Sequence, residues 1–248
     1  MIVLRSDDEI KLMRKAGRIA AVTLEKLKAH AKAGVETREL DGIARDEIMR
    51  QEGYPAFKGY KGFPGNICTS INEAVVHGIP SERKLKSGDI LSIDIGVRFR
   101  DYFADAAITL AIGPVSDEAA KLIAVTEKAL AAGIERARPG LRLSDISAVI
   151  QETAESAGYS IVRAFVGHGI GTRIHEEPEI PNYGRPDRGP RLEPGMVLAL
   201  EPMVNAGTFE VEVLDDGWTA VTKDRKLSAH FEHTIAIRDK RAEILTRI

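Results

Sequence analysis

Leu85-Lys86-Ser87-Gly88-Asp89-Ile90-Leu91-Ser92-Ile93-Asp94 decides the fold, because its pattern returns as Leu192-Glu193-Pro194-Gly195-Met196-Val197-Leu198-Ala199-Leu200-Glu201. Each copy is a glycine-punctuated turn, then a short apolar strand that ends on a carboxylate. The two carboxylates are 107 positions apart. Lys32-Ala33-Gly34-Val35 answers Arg138-Pro139-Gly140-Leu141 at nearly the same offset, and Glu52-Gly53-Tyr54 answers Ala157-Gly158-Tyr159. Asp105 and Glu232, each followed by apolar strand, pair at 127, so the second half carries about twenty extra residues, roughly 205–228, with the only Trp. The expectation is one domain, 1–248, built from two related αβ halves, about 6–112 and 116–238, whose acidic side chains meet at a pseudo-twofold axis.

Helix signals flank both copies. Ser6-Asp7-Asp8-Glu9 is a capping box opening a helix that should run to about His30. Thr37 is expected to cap a second helix with Leu40, Ile43, Ala44 and Ile48 on its apolar face. Strands are expected over about 67–112. Ser116 should cap a third helix ending at Pro139-Gly140, and Ser144 should begin a fourth, carrying Ile146, Val149 and Ile150 and ending at Gly158. More strands fill the remainder, which makes the class α+β.

The bulk numbers exclude several functions. With 248 residues, 44% hydrophobic and 29% charged, the chain has material for a generous core. A net charge of −2 supplies no global attraction to nucleic acid or anionic membranes. No apolar run approaches membrane-spanning length. Met-Ile-Val-Leu-Arg-Ser-Asp-Asp-Glu lacks the basic stretch and apolar core of a signal peptide, and the single Cys68 suits a reducing compartment. The expectation is a cytoplasmic protein, a monomer, with no membrane or sequence-specific nucleic-acid partner.

Asp94, Asp105, His168, Glu201 and Glu232 each sit in or beside buried strand or glycine-tight turn. An ionised carboxylate there is costly to desolvate unless a cation compensates it. Singly, Asp94 or Asp105 reads as a strand-end residue bonded to backbone, and Glu232 as half of a salt bridge. His168 differs, since glycines on both sides in Gly167-His168-Gly169 permit close backbone approach. Together the five form a hard, oxygen-rich set suited to a pair of Mn, Fe, Co or Zn ions, and such a pair suits hydrolysis. His30 reads as structural. His230 and His233 flank a candidate ligand and are either groups orienting Glu232 or exposed spectators.

Several motifs then carry a resemblance: Asn72-Glu73-Ala74-Val75-Val76-His77-Gly78-Ile79-Pro80, Gly167-His168-Gly169-Ile170-Gly171, His175-Glu176-Glu177-Pro178, Glu201-Pro202-Met203 and Phe231-Glu232-His233-Thr234. On these the chain resembles the type I methionine aminopeptidases, essentially over its whole length. That family has the two-metal pita-bread fold, a curved, mainly antiparallel sheet shared with prolidases and aminopeptidase P. The resemblance implies removal of the N-terminal methionine from nascent polypeptides, best before a small second residue. It assigns Asp94, Asp105, His168, Glu201 and Glu232 to two divalent ions, with Asp105 and Glu232 bridging. Glu201 would be general base and proton shuttle, His175 would stabilise the carbonyl oxygen, and His77 would contact the scissile amide.

The methionine pocket of the family maps to Phe57, Tyr60, Phe63, Cys68, Ile174 and Trp218, each of which also fits ordinary core packing. Phe57, Phe63 and Ile174 stand where bacterial members commonly carry Cys, Tyr and Phe, changes that keep the pocket apolar. Cys68 is expected as a wall and not a nucleophile, since no base adjoins it in sequence. The length suggests the minimal bacterial-type enzyme, without the extra domain of prolidases. Lys223, Arg225 and Lys226 read as a solvated loop or, less favoured, as a docking patch for the ribosome. Two competitors stay open: an Xaa-Pro aminopeptidase on the same fold, and a non-catalytic binding module that uses the cleft.

Overall fold

A computed structural model describes residues 2–248. Helix α1 (Asp7–His30) opens on the expected capping box: the Ser6 hydroxyl accepts from the Glu9 amide, and the Glu9 carboxylate accepts from the Ser6 amide at 2.8 Å. It ends where the Ala31 amide bonds Leu27 and the chain turns through left-handed Gly34. Helix α2 (Thr37–Arg50) starts one position earlier than expected. Glu36 is the cap, with its amide held by Glu39, because the Thr37 hydroxyl is engaged with Ser81 backbone instead. Ser116 caps α3 (Asp117–Arg136) as expected. Helix α4 (Leu143–Glu155) again starts a residue early, with the Arg142 amide on Asp145, because the Ser144 hydroxyl is bonded to the Arg188 carbonyl. In both cases a tertiary partner claims the hydroxyl that local sequence offers to the helix end.

The strands are β1 (Tyr54–Pro55), β2 (Cys68–Ile71), β3 (Ala74–Val76), β4 (Ile90–Phe99), β5 (Tyr102–Ala111), β6 (Ser160–Ile161), β7 (Gly167–Gly169), β8 (Glu176–Ile180), β9 (Val197–Leu200), β10 (Met203–Asn205), β11 (Val211–Val213), β12 (Ala220–Thr222), β13 (Ser228–His230), β14 (Glu232–Ile237) and β15 (Ala242–Ile244). The main sheet runs β1-β4-β5-β14-β9-β7-β8, with β2 added on β4 and β15 on β14, and its pairings are antiparallel. At its centre the hairpin β4–β5 lies beside the pair β14–β9.

One face of this sheet is packed under helices. Ile93, Ile95, Val97, Ala104 and Ala106 bury against Ile19, Leu24, Leu27, Leu40 and Ile48 of α1 and α2. Leu198, Leu200, Ile235 and Ile237 bury against Leu122, Leu130, Ile146 and Ile150 of α3 and α4. Alternation then sends the intervening side chains to the opposite face.

The segment 205–228 supplies β11 and β12, a hairpin that pairs with β3 through Ala220–Val76 and Val221–Ala74. Lys223 and Arg225 in it are ion-paired to Glu210 and Glu212, so most of this basic cluster is neutralised locally. Among the described residues, no helix is long and apolar enough to cross a membrane.

Candidate active site

The register of five strands, β4, β5, β14, β9 and β7, brings the five predicted donors to one face. Cross-strand partners in an antiparallel pair share a face. Asp94 pairs with Ala107, and Asp105 with Gly96, so both aspartates project from the same side of β4–β5. Glu232 pairs with that same Ala107 and joins them. His233 pairs with Leu200, which places Glu201, one step beyond β9, opposite Glu232. His168 pairs with Ala199, which shares its face with Glu201. Cys68 pairs with Asp94 and faces the same way.

Donor atoms of Asp105, His168 and Glu232 lie within 4.8 Å of one another. Asp94 stands against Asp105 on one side, and Glu201 against His168 on the other, 3.4 Å from its Nε2. His168 Nδ1–H donates to the Gly169 carbonyl at 2.9 Å, so the lone pair of Nε2 faces the carboxylates. The backbone beneath is braced: the Asp105 amide donates to the Thr234 hydroxyl, which donates back to the Asp105 carbonyl, each at 2.8 Å. Asn182 donates to the Glu201 carbonyl.

Burial raises the pKa of all four carboxylic acids, Asp105 to about 7, and mutual repulsion adds to it at Asp94, Glu201 and Glu232. Burial pushes His168 down to about 4, so its imidazole is neutral and free to ligate. Asp94 Oδ1 and Glu232 Oε1 are buried without a hydrogen-bond partner. Convergent carboxyl oxygens, two of them orphaned, with a neutral imidazole oriented toward them, are the donors a hard divalent cation takes, and its charge would favour their ionised form. The residues present fit a metal.

These groups floor a cavity of about 210 Å³, also lined by Phe57, Tyr60, Lys61, Phe63, Cys68, His77, His175 and Trp218. Phe57 and Phe63 meet edge to face with centroids 6.5 Å apart, and Phe63 meets Trp218 at 5.1 Å. Trp218 reaches the site on the β11–β12 connection and stands 6.3 Å from His77. His77 follows β3 in a left-handed conformation, φ 61°. The next residue, Gly78, packs so tightly on Thr69 that a Cβ would lie 2.2 Å from its carbonyl oxygen. His175 stands at the cavity rim, with Nδ1 2.9 Å from the Tyr60 hydroxyl and its ring 4.3 Å from that of His168. Partial burial, then His168, Lys61 and His77, hold its imidazole below the usual histidine range.

Ile174 corrects the pocket expected from sequence. It does not line the cavity but lies buried behind Phe57, and both fill the space above Gly96 on the donor face. Cys68 is buried, and burial, then Asp94, Asp105 and Glu232, drives its thiol pKa upward, which removes the cysteine-nucleophile reading. His230 and His233 are neither spectators nor supports for Glu232. His230 is buried with Nε2 3.9 Å from Glu201, and His233 bonds the Thr246 hydroxyl at 2.8 Å on the opposite face. His30 is exposed and bonds the Lys26 carbonyl near the helix end. Lys61 went unremarked in sequence, where nothing separates it from other surface lysines; Gly59 and Gly62 on either side, both at positive φ, were the available signal.

A model of the metallopeptidase family M24 matches residues 11–239. This chain belongs to that family. The M24 chain is 54% identical to methionine aminopeptidase 1 of Bacillus subtilis over 248 residues, with both chains fully covered, and 55% identical to the methionine aminopeptidase of Clostridium acetobutylicum over 99% of each. Its structure superposes on that of the Thermotoga maritima methionine aminopeptidase with a TM-score of 0.99, at 43% identity and full coverage of both chains. A prolidase from Pyrococcus furiosus shares the fold at TM-score 0.80 and 21% identity, over 99% of this M24 chain and 66% of its own. The pita-bread architecture expected from sequence is therefore the observed one.

Proposed function

We propose that this M24 chain removes the N-terminal methionine from newly made polypeptides by metal-dependent hydrolysis of the first peptide bond. One observation carries the reading: five donors share one sheet face, and an apolar aromatic cavity opens directly over them. Asp94, Asp105, His168, Glu201 and Glu232 would hold two divalent ions, Mn, Fe, Co or Zn by donor type. Bound there, the ions supply water activated near neutral pH and polarisation of the substrate carbonyl.

The protein's own residues do the remainder. Glu201, at the edge of the cluster, accepts the proton of the attacking water and passes it to the leaving amine. His175, kept neutral, accepts from the Tyr60 hydroxyl at Nδ1 and presents Nε2–H to the oxygen that becomes negative. His77 contacts the scissile amide. Phe57, Tyr60, Phe63, Cys68 and Trp218 enclose an unbranched thioether, for which aromatic and sulfur-bearing walls are favourable. A cavity of about 210 Å³, with Phe57 and Ile174 packed over Gly96, suits a single side chain before the scissile bond, which supports exopeptidase action.

The Xaa-Pro alternative rests on neighbours that share the fold alone, and full-length relatives at 54–55% identity oppose it. The complete donor set opposes a silent binding module. The reading places the enzyme in the cytoplasm, as a monomer acting on nascent chains.

The test is release of free methionine from Met-Ala-Ser by metal-stripped protein, before and after adding Mn, Co or Fe. Restored cleavage by wild type, with a loss of at least about 100-fold in kcat for Glu201→Gln, is expected. Undiminished cleavage by Glu201→Gln would sink the assigned site.

A further inference from the structure

Arg5 is buried, 9% exposed, although it precedes the first helix and sits far in sequence from any candidate ligand. Its backbone is pinned by a hydrogen bond from its amide to the Gly195 carbonyl, 2.7 Å. One end of its guanidinium meets Glu176 Oε2 at 2.5 Å, and the other reaches Glu9 at 3.4 Å. The group lies flat on Gly171, where a Cβ would fall 2.0 Å from Nη2. The second oxygen of Glu176 is equally committed, accepting the amides of Thr172 and Arg173 at 2.8 and 3.0 Å and the Thr172 hydroxyl at 3.3 Å.

Glu176 therefore closes the loop 171–176 on itself with one oxygen and ties it to the N-terminal segment with the other. His175 is the residue immediately before it. Phe103 holds the start of the same loop through a hydrogen bond from its amide to the Gly171 carbonyl.

We propose that Arg5 and Glu176 form a latch by which the N-terminal segment positions His175 over the scissile carbonyl. This rests on the aminopeptidase reading above. Neither residue touches substrate; both are positioning residues. The ring of His175 has the Tyr60 hydroxyl as a hydrogen-bond partner and the His168 ring beside it, and the Arg5–Glu176 pair ties the backbone that carries it to the N-terminal segment. An oxyanion donor displaced by a fraction of an ångström loses transition-state stabilisation with little change in ground-state binding.

The experiment is a double-mutant cycle between Arg5→Met and His175→Ala, assayed on Met-Ala-Ser with saturating Mn. Arg5→Met is expected to lower kcat about tenfold while KM moves less than about twofold. In the His175→Ala background the same change should cost less than about twofold. Hydrogen exchange of the Thr172 and Arg173 amides, followed without metal, should accelerate in Arg5→Met and return toward wild type in Arg5→Lys. Equal losses in both backgrounds, or an unchanged kcat in folded Arg5→Met, would overturn the latch. Should Arg5→Met not fold, Glu176→Gln, which keeps the amide acceptor and removes the charge, replaces it in the same cycle with the same expectations. Wild-type turnover by His175→Ala alone would instead overturn the role assigned to His175, a separate outcome.

Discussion

Gly96 and Gly78 show how two residues of one kind do different work at this site. A side chain at Gly96 would meet Phe57 Cε1 at 2.6 Å and Ile174 Cδ1 at 2.8 Å, and side chains can move. Gly96→Ala should therefore push Phe57 into the cavity and raise KM for methionyl peptides about five- to tenfold with little loss of stability; steady-state kinetics beside a thermal melt separates the two effects. At Gly78 the obstacle is the Thr69 carbonyl itself, so Gly78→Ala should destabilise the fold by about 2–4 kcal/mol in denaturant melts. The five convergent groups were legible only as a set: singly Asp94, Asp105 and Glu232 read as strand-end or salt-bridged residues, but several carboxylates inside apolar strands are costly together and stand out. Ile174 was misplaced as a cavity wall, since nothing local distinguishes a side chain lining a cavity from one packed behind it. The part of His230 near Glu201 was missed because proximity along the chain to Glu232 suggested the wrong partner.

Helices α1 and α2 are joined through Glu47, a buried carboxylate on α2 that accepts from Arg50 at 2.5 Å and from Lys26 on α1 at 2.9 Å. The Arg50 contact, then Lys26, holds Glu47 at about 2, well below its ordinary value. A depressed folded pKa adds stability that is present above the unfolded value near 4.5 and is lost as pH falls through about 2. Because Lys26 and Arg50 reach Glu47 from solvent, screening limits the contribution to about 1–2 kcal/mol. Glu47→Gln should lower stability by that amount at pH 7 and flatten its decline between pH 4.5 and 2, as read by denaturant melts across that range. At this scale the element order and helix types were readable from capping and periodicity. The starts of α2 and α4 were off by one residue, because Thr37 and Ser144 spend their hydroxyls on Ser81 and Arg188, partners that no local window contains.

Across the whole molecule the carboxyl groups come from both central strand pairs, Asp94 and Asp105 from β4–β5, Glu232 from β14 and Glu201 from the position just beyond β9. Metal bound there would tie the pairs together. Without it, the raised carboxylic-acid pKa values make stability greatest below the unfolded values near 4. That contribution is lost as pH rises through about 7, the folded value of Asp105, and higher for its neighbours. Metal-stripped protein should therefore melt at a lower temperature at pH 8 than at pH 5.5, and Mn should restore the pH 8 value. A melting temperature that is independent of pH in the stripped protein would contradict a carboxylate cluster lacking its cation.

Sequence by itself determined the α+β class, the order of helices and strands, the correspondence of Asp94 with Glu201 and of Asp105 with Glu232 at offsets that differ by about twenty residues, and the chemistry of the donor set. These follow from local patterns of polarity, capping and turn residues, which act over a few positions. Only the tertiary structure decided that the five donors share one face, that Trp218 arrives on an inserted hairpin, that Ile174 lies behind Phe57, and that Arg5 grips the loop carrying His175. Each of those depends on strand register and on contacts between residues far apart in the chain. A shift of one residue in pairing would turn every donor to the helix-covered side, and that choice is made by the packing of the two helix pairs against the sheet.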